Sequence, residues 1–308
     1  MSKLNIDQQT IKELFSNKRS DFLIPDYQRP YAWEETECQT LWDDIFMFAF
    51  PENDYTKFDS DNDEYFLGPI VTFKNDAGKL EIIDGQQRLT TLMLLLRAFY
   101  SKFGNMKDPY AVKTSEDIST CIWKTNEFGQ PDKNKLKIDS EVSTDDDKEE
   151  FLTILKTGLI DVNHKSRYAR TYRFFQDKIN EFLQEYPAYF AYLPTRILNN
   201  CILLPIEAES QDTALRIFST LEESHYQIRI FLKHSFISII VALEKRISLF
   251  EDGRIWRQYA MKFLQLHRGL LWMNYLQDIC ITKERNRELR IQRQKLLENF
   301  MKKIHMHY

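Results

Sequence analysis

The residues best suited to chemistry are Asp84, Gly85, Gln86, Gln87 and Arg88, which follow the apolar pair Ile82-Ile83 and precede a leucine-rich stretch. A glycine between a strand and a helix lets the backbone turn sharply. The first amides of that helix are then unpaired, at the positive end of its dipole. Such a junction suits phosphate. Arg88, in the first turn, adds a forked and permanently charged donor, and Gln86 and Gln87 can donate amide hydrogens to a phosphate or a base. Asp84 could hold Mg²⁺ through water or orient an attacking water, so Asp84, Gln87 and Arg88 are the catalytic candidates. Simpler roles are open to the same residues. Asp84 could cap the helix, and Arg88 and Arg29 could pair with Asp84 and Asp26 as structural bridges. Tyr27, Tyr31 and Trp33 are expected to pack as core or lid aromatics rather than to stack on a base.

The elements that must position this junction are read from periodicity. Ile6 to Leu14 suggests a short helix, and Phe22-Leu23-Ile24 a brief strand ended by Pro25. Cys38, Leu41, Trp42, Ile45 and Ala49 recur at helical spacing up to Pro51. After an acidic loop from Glu52 to Glu64, the runs Tyr65 to Phe73 and Lys79 to Ile83 form a hairpin about Asn75-Asp76-Ala77-Gly78. A helix from Gln86 to Phe103 follows, with Leu89, Leu92, Met93, Leu96 and Phe99 on its buried face. Gly104 to Gly158 is polar and weakly periodic, and is expected to be a variable insertion with a little β structure and no chemistry. Beyond it come a helix over Arg167 to Tyr186, a strand over Cys201 to Ile206 and a helix over Gln211 to Leu221.

Composition narrows the function classes. The 308 residues are 43% hydrophobic and 14% aromatic, enough to bury a full core, and the formal charge of −4 carries no global nucleic-acid signature. Cys38, Cys121, Cys201 and Cys280 are widely spaced, which fits a reducing cytosol better than a disulfide framework or a zinc site. No apolar run reaches the roughly 18 residues of a membrane span; Phe231 to Val241 is too short and contains Lys233 and His234. A soluble, cytoplasmic protein without a resident metal is expected. The pair His305 and His307, the lone His164, His225 and His267, and the mixed-charge run from Lys283 to Lys295 carry no ligand or nuclease spacing.

Two motifs stand out: Ile24-Pro25-Asp26-Tyr27-Gln28-Arg29-Pro30-Tyr31-Ala32-Trp33, and Ile82-Ile83-Asp84-Gly85-Gln86-Gln87-Arg88-Leu89-Thr90-Thr91-Leu92. In this order, with Phe66-Leu67-Gly68-Pro69-Ile70 between them, they resemble the signature of the GmrSD-type restriction endonucleases, and specifically their ParB/sulfiredoxin-like N-terminal domain. The likeness extends through the segment from Asn199 to Leu221. It implies an α+β fold: a small mixed sheet with flanking helices over residues 1–104 and an insertion and helical continuation of the same domain over 105–221; apolar periodicity through Phe236, Ile240 and Leu243 adds a mostly helical part over 222–308. It also implies binding and hydrolysis of a nucleoside triphosphate with Mg²⁺, coupled to modification-dependent DNA restriction in phage defence. Asp26, Gln28, Arg29, Gly85, Gln86, Gln87 and Arg88 would hold the nucleotide. Modified DNA and a separate HNH-type nuclease subunit would be partners. A non-enzymatic DNA-sensing or protein-binding module built on the same cleft is the alternative.

The likeness breaks after Leu221, where the family continues with a turn of the form N-x-R-G and this chain has Glu222-Glu223-Ser224-His225. Taking the last base of each codon with the first two of the next, Glu223 to Ser238, Ser248 to Ala260 and Arg268 to Thr282 can each be recoded into segments similar to that continuation. The expectation is therefore an out-of-frame tail over 222–308, which would leave this chain without the family's downstream helices and nuclease domain, or an inactive gene remnant.

Overall fold

A capping box decides where the first helix starts. The Thr10 hydroxyl accepts from the Glu13 amide (3.1 Å) and the Glu13 carboxylate accepts from the Thr10 amide (2.8 Å), so helical geometry begins one residue after Thr10. Asn5–Ile6 (β1) and Gln9–Thr10 (β2) are accordingly extended and α1 spans Ile11–Ser16, later than the helix expected from Ile6. The computed structural model describes residues 5–6, 8–142, 144–160 and 166–221. The out-of-frame reading of 222–308, the histidine pair at the end of the chain and the run from Lys283 lie outside them.

The next elements follow the expected order: β3 (Phe22–Ile24), α2 (Glu35–Ala49), β4 (Tyr65–Lys74), β5 (Leu80–Asp84) and α3 (Gln86–Phe103). The Asn75 carbonyl accepts from the Gly78 amide and its side chain from the Lys79 amide, both at 2.9 Å, closing the β4–β5 hairpin. The segment expected to be a variable insertion with a little β structure also carries two helices. It contains α4 (Pro109–Ile122), the two-stranded ribbon β6 (Trp123–Thr125) and β7 (Pro131–Leu136), then β8 (Ile138–Ser140) and α5 (Lys148–Thr157). Thr114, Ser115 and Ser119 sit on the buried side of α4 among Ala111, Ile118 and Cys121, and these small polar residues mask its apolar period. After α6 (Arg167–Glu185) comes α7 (Tyr192–Asn200), which the sequence reading did not separate. The strand β9 (Cys201–Ala208) and a helix over 211–221, here α8, follow.

Seven strands form one mixed sheet in the order β1-β9-β4-β5-β3-β8, with β2 also on β9. β3 runs parallel to both β5 and β8, while β4 is antiparallel to β5 and parallel to β9. Two parallel neighbours must end at the same edge of a sheet, so the loop after β3 and the turn after β5 emerge side by side. Both motifs are thereby delivered to one place. This is the end of a sheet at which open α/β arrangements hold ligands.

One face of the sheet carries the main core, and α3 runs through its middle. Leu89, Leu92, Met93, Leu94, Leu95, Leu96 and Phe99 are each fully buried. A helix apolar on all sides is an interior helix, and α3 packs on α4, α5 and α6 rather than showing only the single stripe of the sequence reading. The opposite face is covered differently: Val71, Phe73, Ile83 and Ala208 pack against Ala214, with Ile217, Phe218 and Leu221 of α8 around them. Two buried arginines tie elements together. Arg97 donates to the Leu155 carbonyl (3.0 Å), joining α3 to α5, and Arg196 donates to Ala49 and Tyr55 carbonyls, joining α7 to the end of α2. No helix among the described residues is long and apolar enough to cross a membrane.

Because β9 fills the place beside β4 and α4, α5 and α6 pack on α3, residues 1–104 alone would leave β4 with an unpaired edge and apolar surface of α3 in water. A fragment ending at residue 104 is expected to lack a cooperative urea transition by tryptophan fluorescence. A cooperative transition for that fragment would show that β8, β9 and α6 are dispensable for folding.

Candidate functional site

The site begins where β5 ends. Gly85 has φ of +94° and is the N-cap of α3, so no side chain caps the helix and Asp84 is not its cap. A Cβ at Gly85 would stand 3.3 Å from the Ile70 side chain and 3.5 Å from the Pro69 carbonyl oxygen; the turn needs glycine both for its backbone angle and for this approach. The first amide to bond within α3 is that of Leu89, to the Gly85 carbonyl at 3.0 Å. The amides of Gln86, Gln87 and Arg88 have no acceptor among the described residues. They point along the positive end of a helix of 18 residues.

Glutamine side chains join the two motifs. Gln28 donates to the carbonyls of Ile82 (3.1 Å) and Ile83 (3.0 Å), at the end of β5. Gln86 donates to the Gln28 side-chain oxygen (3.0 Å) and to the Arg29 carbonyl (3.2 Å). Gln87 donates to the Pro30 carbonyl (3.2 Å) and accepts from the Ala32 amide (2.7 Å). Tyr31, in the same loop, is buried; its hydroxyl lies 2.8 Å from that of Thr91, which donates to the Gln87 carbonyl. Its ring stacks on Tyr168, whose hydroxyl donates to the buried Asp145. Burial holds the Tyr31 hydroxyl well above its ordinary pKa, so it stays a neutral donor.

Arg88 is the cation of the site. One guanidinium nitrogen donates to the Pro69 carbonyl at 2.8 Å, and the other N–H groups have no acceptor among the described residues. Burial pulls its pKa down, with Asp84 and then Tyr65 opposing that shift; it remains charged near neutrality because the ordinary value is so high. No Arg88–Asp84 contact within salt-bridge distance forms, and the half-buried Asp84 carboxylate accepts no hydrogen bond from the described residues. Apart from Asp26 and Arg29, the residues expected to bind thus fall into two groups. Asp84, Gly85 and Arg88 are presented at the junction, whereas Gln28, Gln86 and Gln87 use their amides to hold the loops together.

Asp26 and Arg29 lie exposed on the motif-one loop. Of the aromatics there, Tyr31 is core, Trp33 packs half-buried against it, and Tyr27 is 51% exposed with its hydroxyl 3.4 Å from Glu81. Sequence reasoning gave no role to Gly68 and Pro69, although Gly-Pro inside an apolar β run marks a bulge or a close approach. Elsewhere, no cluster of His, Cys, Asp and Glu suited to a metal occurs among the described residues. Cys38, Cys121 and Cys201 are buried free thiols. Burial pushes Cys38 up to about 11 and Cys121 up to about 12, far from a reactive thiolate.

Gln87 carries the clearest structural duty. Gln87→Ala would strand the Ala32 amide and the Pro30 carbonyl, and is expected to lower the unfolding free energy by about 2 kcal/mol in urea titrations. An unchanged midpoint would mean that the loop is held without it.

No curated protein matches the chain. A family match does cover residues 11–228, and its description is GmrSD restriction endonuclease, N-terminal domain. It contains both motifs and all the strands and helices from α1 to α8, and runs seven residues past Leu221, the residue after which the sequence reading expected the likeness to stop. The chain belongs to the GmrSD restriction endonuclease N-terminal domain family and so to a modification-dependent restriction system.

Proposed function

We propose that the junction of β5 and α3 binds a nucleoside triphosphate with Mg²⁺ and hydrolyses it as the energy-consuming step of modified-DNA restriction. The observation that carries this reading is the set of donors at one point without an acceptor among the described residues: the amides of Gln86, Gln87 and Arg88 and the spare N–H groups of the Arg88 guanidinium. Converging amides at a helix start beside a fixed arginine are what a phosphate group requires. Asp84, with a carboxylate that accepts no hydrogen bond from the described residues, has the chemistry to meet a hydrated Mg²⁺, a cation that takes one or two carboxylates and completes its shell with water and phosphate oxygens. The ion would neutralise phosphate charge. Asp84 is also the group available to orient a water, and Gln87 enters the reaction through its backbone amide, since its side chain is engaged with Pro30 and Ala32.

Asp26, Gln28 and Arg29 form the facing wall in this reading. The exposed Asp26 and Arg29 would meet the nucleotide, and Gln28 would set the distance between the loops through Ile82 and Ile83. A DNA-cutting subunit of HNH type and modified DNA are the proposed partners in the cytoplasm. A second reading, a binding module that uses the cleft only as a structural joint, is favoured by one observation: the side-chain amides of Gln28, Gln86 and Gln87 all run between the motifs.

The two readings separate on the full chain. At about 100 times its dissociation constant, a triphosphate stabilises the folded state by about 2.7 kcal/mol. ATP, GTP, CTP or UTP with Mg²⁺ at millimolar concentration is therefore expected to raise Tm by several degrees, and Arg88→Ala to weaken binding and reduce the rise to less than half. Phosphate release should fall with Asp84→Asn while the Tm rise persists. Absence of any shift with all four would leave the joint reading in place.

A further inference from the structure

Gly68 interrupts β4 with φ of +111°, inside a register shift between Phe66 and Pro69 where the strand pairs with β9. A Cβ built on it would stand 3.0 Å from one terminal nitrogen of Arg88, 3.1 Å from the other and 3.1 Å from the guanidinium carbon. All three distances are to the planar head of one side chain, so the guanidinium lies flat across the bare Cα of Gly68. The next residue supplies the acceptor: the Pro69 carbonyl takes one Arg88 N–H at 2.8 Å. The same carbonyl is 3.5 Å from the position a Cβ would take on Gly85. The two glycines therefore let the bulged strand and the start of α3 close on each other from opposite sides, with Arg88 between them.

We propose that Gly68 is a positioning residue for nucleotide binding, acting through Arg88: the flat backbone of Gly68 and the Pro69 carbonyl together hold the guanidinium so that its spare N–H groups face the amides of the α3 first turn. The proposal rests on the nucleotide reading given above and extends it to a residue outside both motifs. A side chain at 68 pushes the guanidinium off its platform. The arginine keeps its charge and loses its direction, and directed hydrogen bonding rather than charge is what a fork supplies to phosphate.

A double-mutant cycle on the full chain tests this. Gly68→Ala is expected to weaken Mg²⁺–triphosphate binding roughly 10- to 100-fold, the range for losing charge-assisted hydrogen bonds. In an Arg88→Ala background the same change should weaken it no further. Gly78→Ala provides the control for backbone strain: Gly78 also has positive φ, +81°, but its Cβ would meet only the Lys74 side chain at 3.8 Å. It should lower Tm while leaving the affinity unchanged. If Gly68→Ala does not fold, recovery of folding in Gly68→Ala/Arg88→Ala supports the contact, and failure of both variants overturns it. Additive losses of affinity, or an unchanged affinity in a folded Gly68→Ala protein, also overturn the positioning role. If the wild-type chain shows no triphosphate shift, the nucleotide reading falls instead. The coupling of Gly68 and Arg88 is then still measured in the Tm of the four ligand-free proteins, and its absence there would remove the contact itself.

Discussion

The hydrogen bonds of Gln28, Gln86 and Gln87 across the gap between two loops are the constraint on which the rest of the site depends. β3 and β5 are parallel neighbours, so the loops that follow them leave the sheet together. Parallel pairing alone would not fix their separation. Gln28 reaches the last carbonyls of β5, Gln86 reaches Gln28 and the Arg29 carbonyl, and Gln87 takes both a carbonyl and an amide of the motif-one loop. Six backbone or side-chain groups that would otherwise need water are satisfied within a few residues. A hydrogen-bonded network of this kind holds its loops in place, which allows the neighbouring donors to lack an acceptor among the described residues.

That division of labour explains why the two glutamines and the arginine of the second motif behave so differently. Gln86 and Gln87 are buried at 7% exposure each and face motif one, while Arg88, two residues further round the helix from Gln86, faces β4 and the Gly68–Pro69 bulge. The core beneath them transmits the constraint. Tyr31 anchors the loop to Thr91 of α3 and to Tyr168 of α6, and Tyr168 stacks in turn on Phe151 of α5. Movement of the motif-one loop would therefore require repacking of an aromatic stack in the main core, which close-packed interiors resist.

Much of this could be read before any coordinates. The strand, glycine and helix around Asp84-Gly85-Gln86 were legible because turn chemistry and the change from a period of two to one of 3.6 coincide there. The resemblance to the restriction endonuclease family singled out the two motifs that the parallel pair β3 and β5 brings together. Other features were hidden for physical reasons. The direction of each glutamine depends on where β3 sits relative to β5, which is a property of the sheet and not of either segment. Gly68 was visible as a residue, but only the folded register brings Arg88 over it. The capping box Thr10-x-x-Glu13 was present in the sequence, and the apolar residues before it outweighed it in the helix reading. In α4, Thr114 and Ser115 lie on the buried side and blur the pattern that marks a helix.

In the proposed function, the amides at the start of α3 that lack an acceptor among the described residues form a phosphate site held open by the glutamine network. Hydrogen exchange of the full chain, followed by mass spectrometry on peptides spanning Asp84 to Leu89, reads those amides directly. In the ligand-free protein the amides of Gln86, Gln87 and Arg88 should exchange rapidly while those from Leu92 onward are protected, and Mg²⁺ with the bound triphosphate should slow them by at least about tenfold. Protection appearing elsewhere with these amides unchanged, under conditions in which the triphosphate binds, would contradict the account.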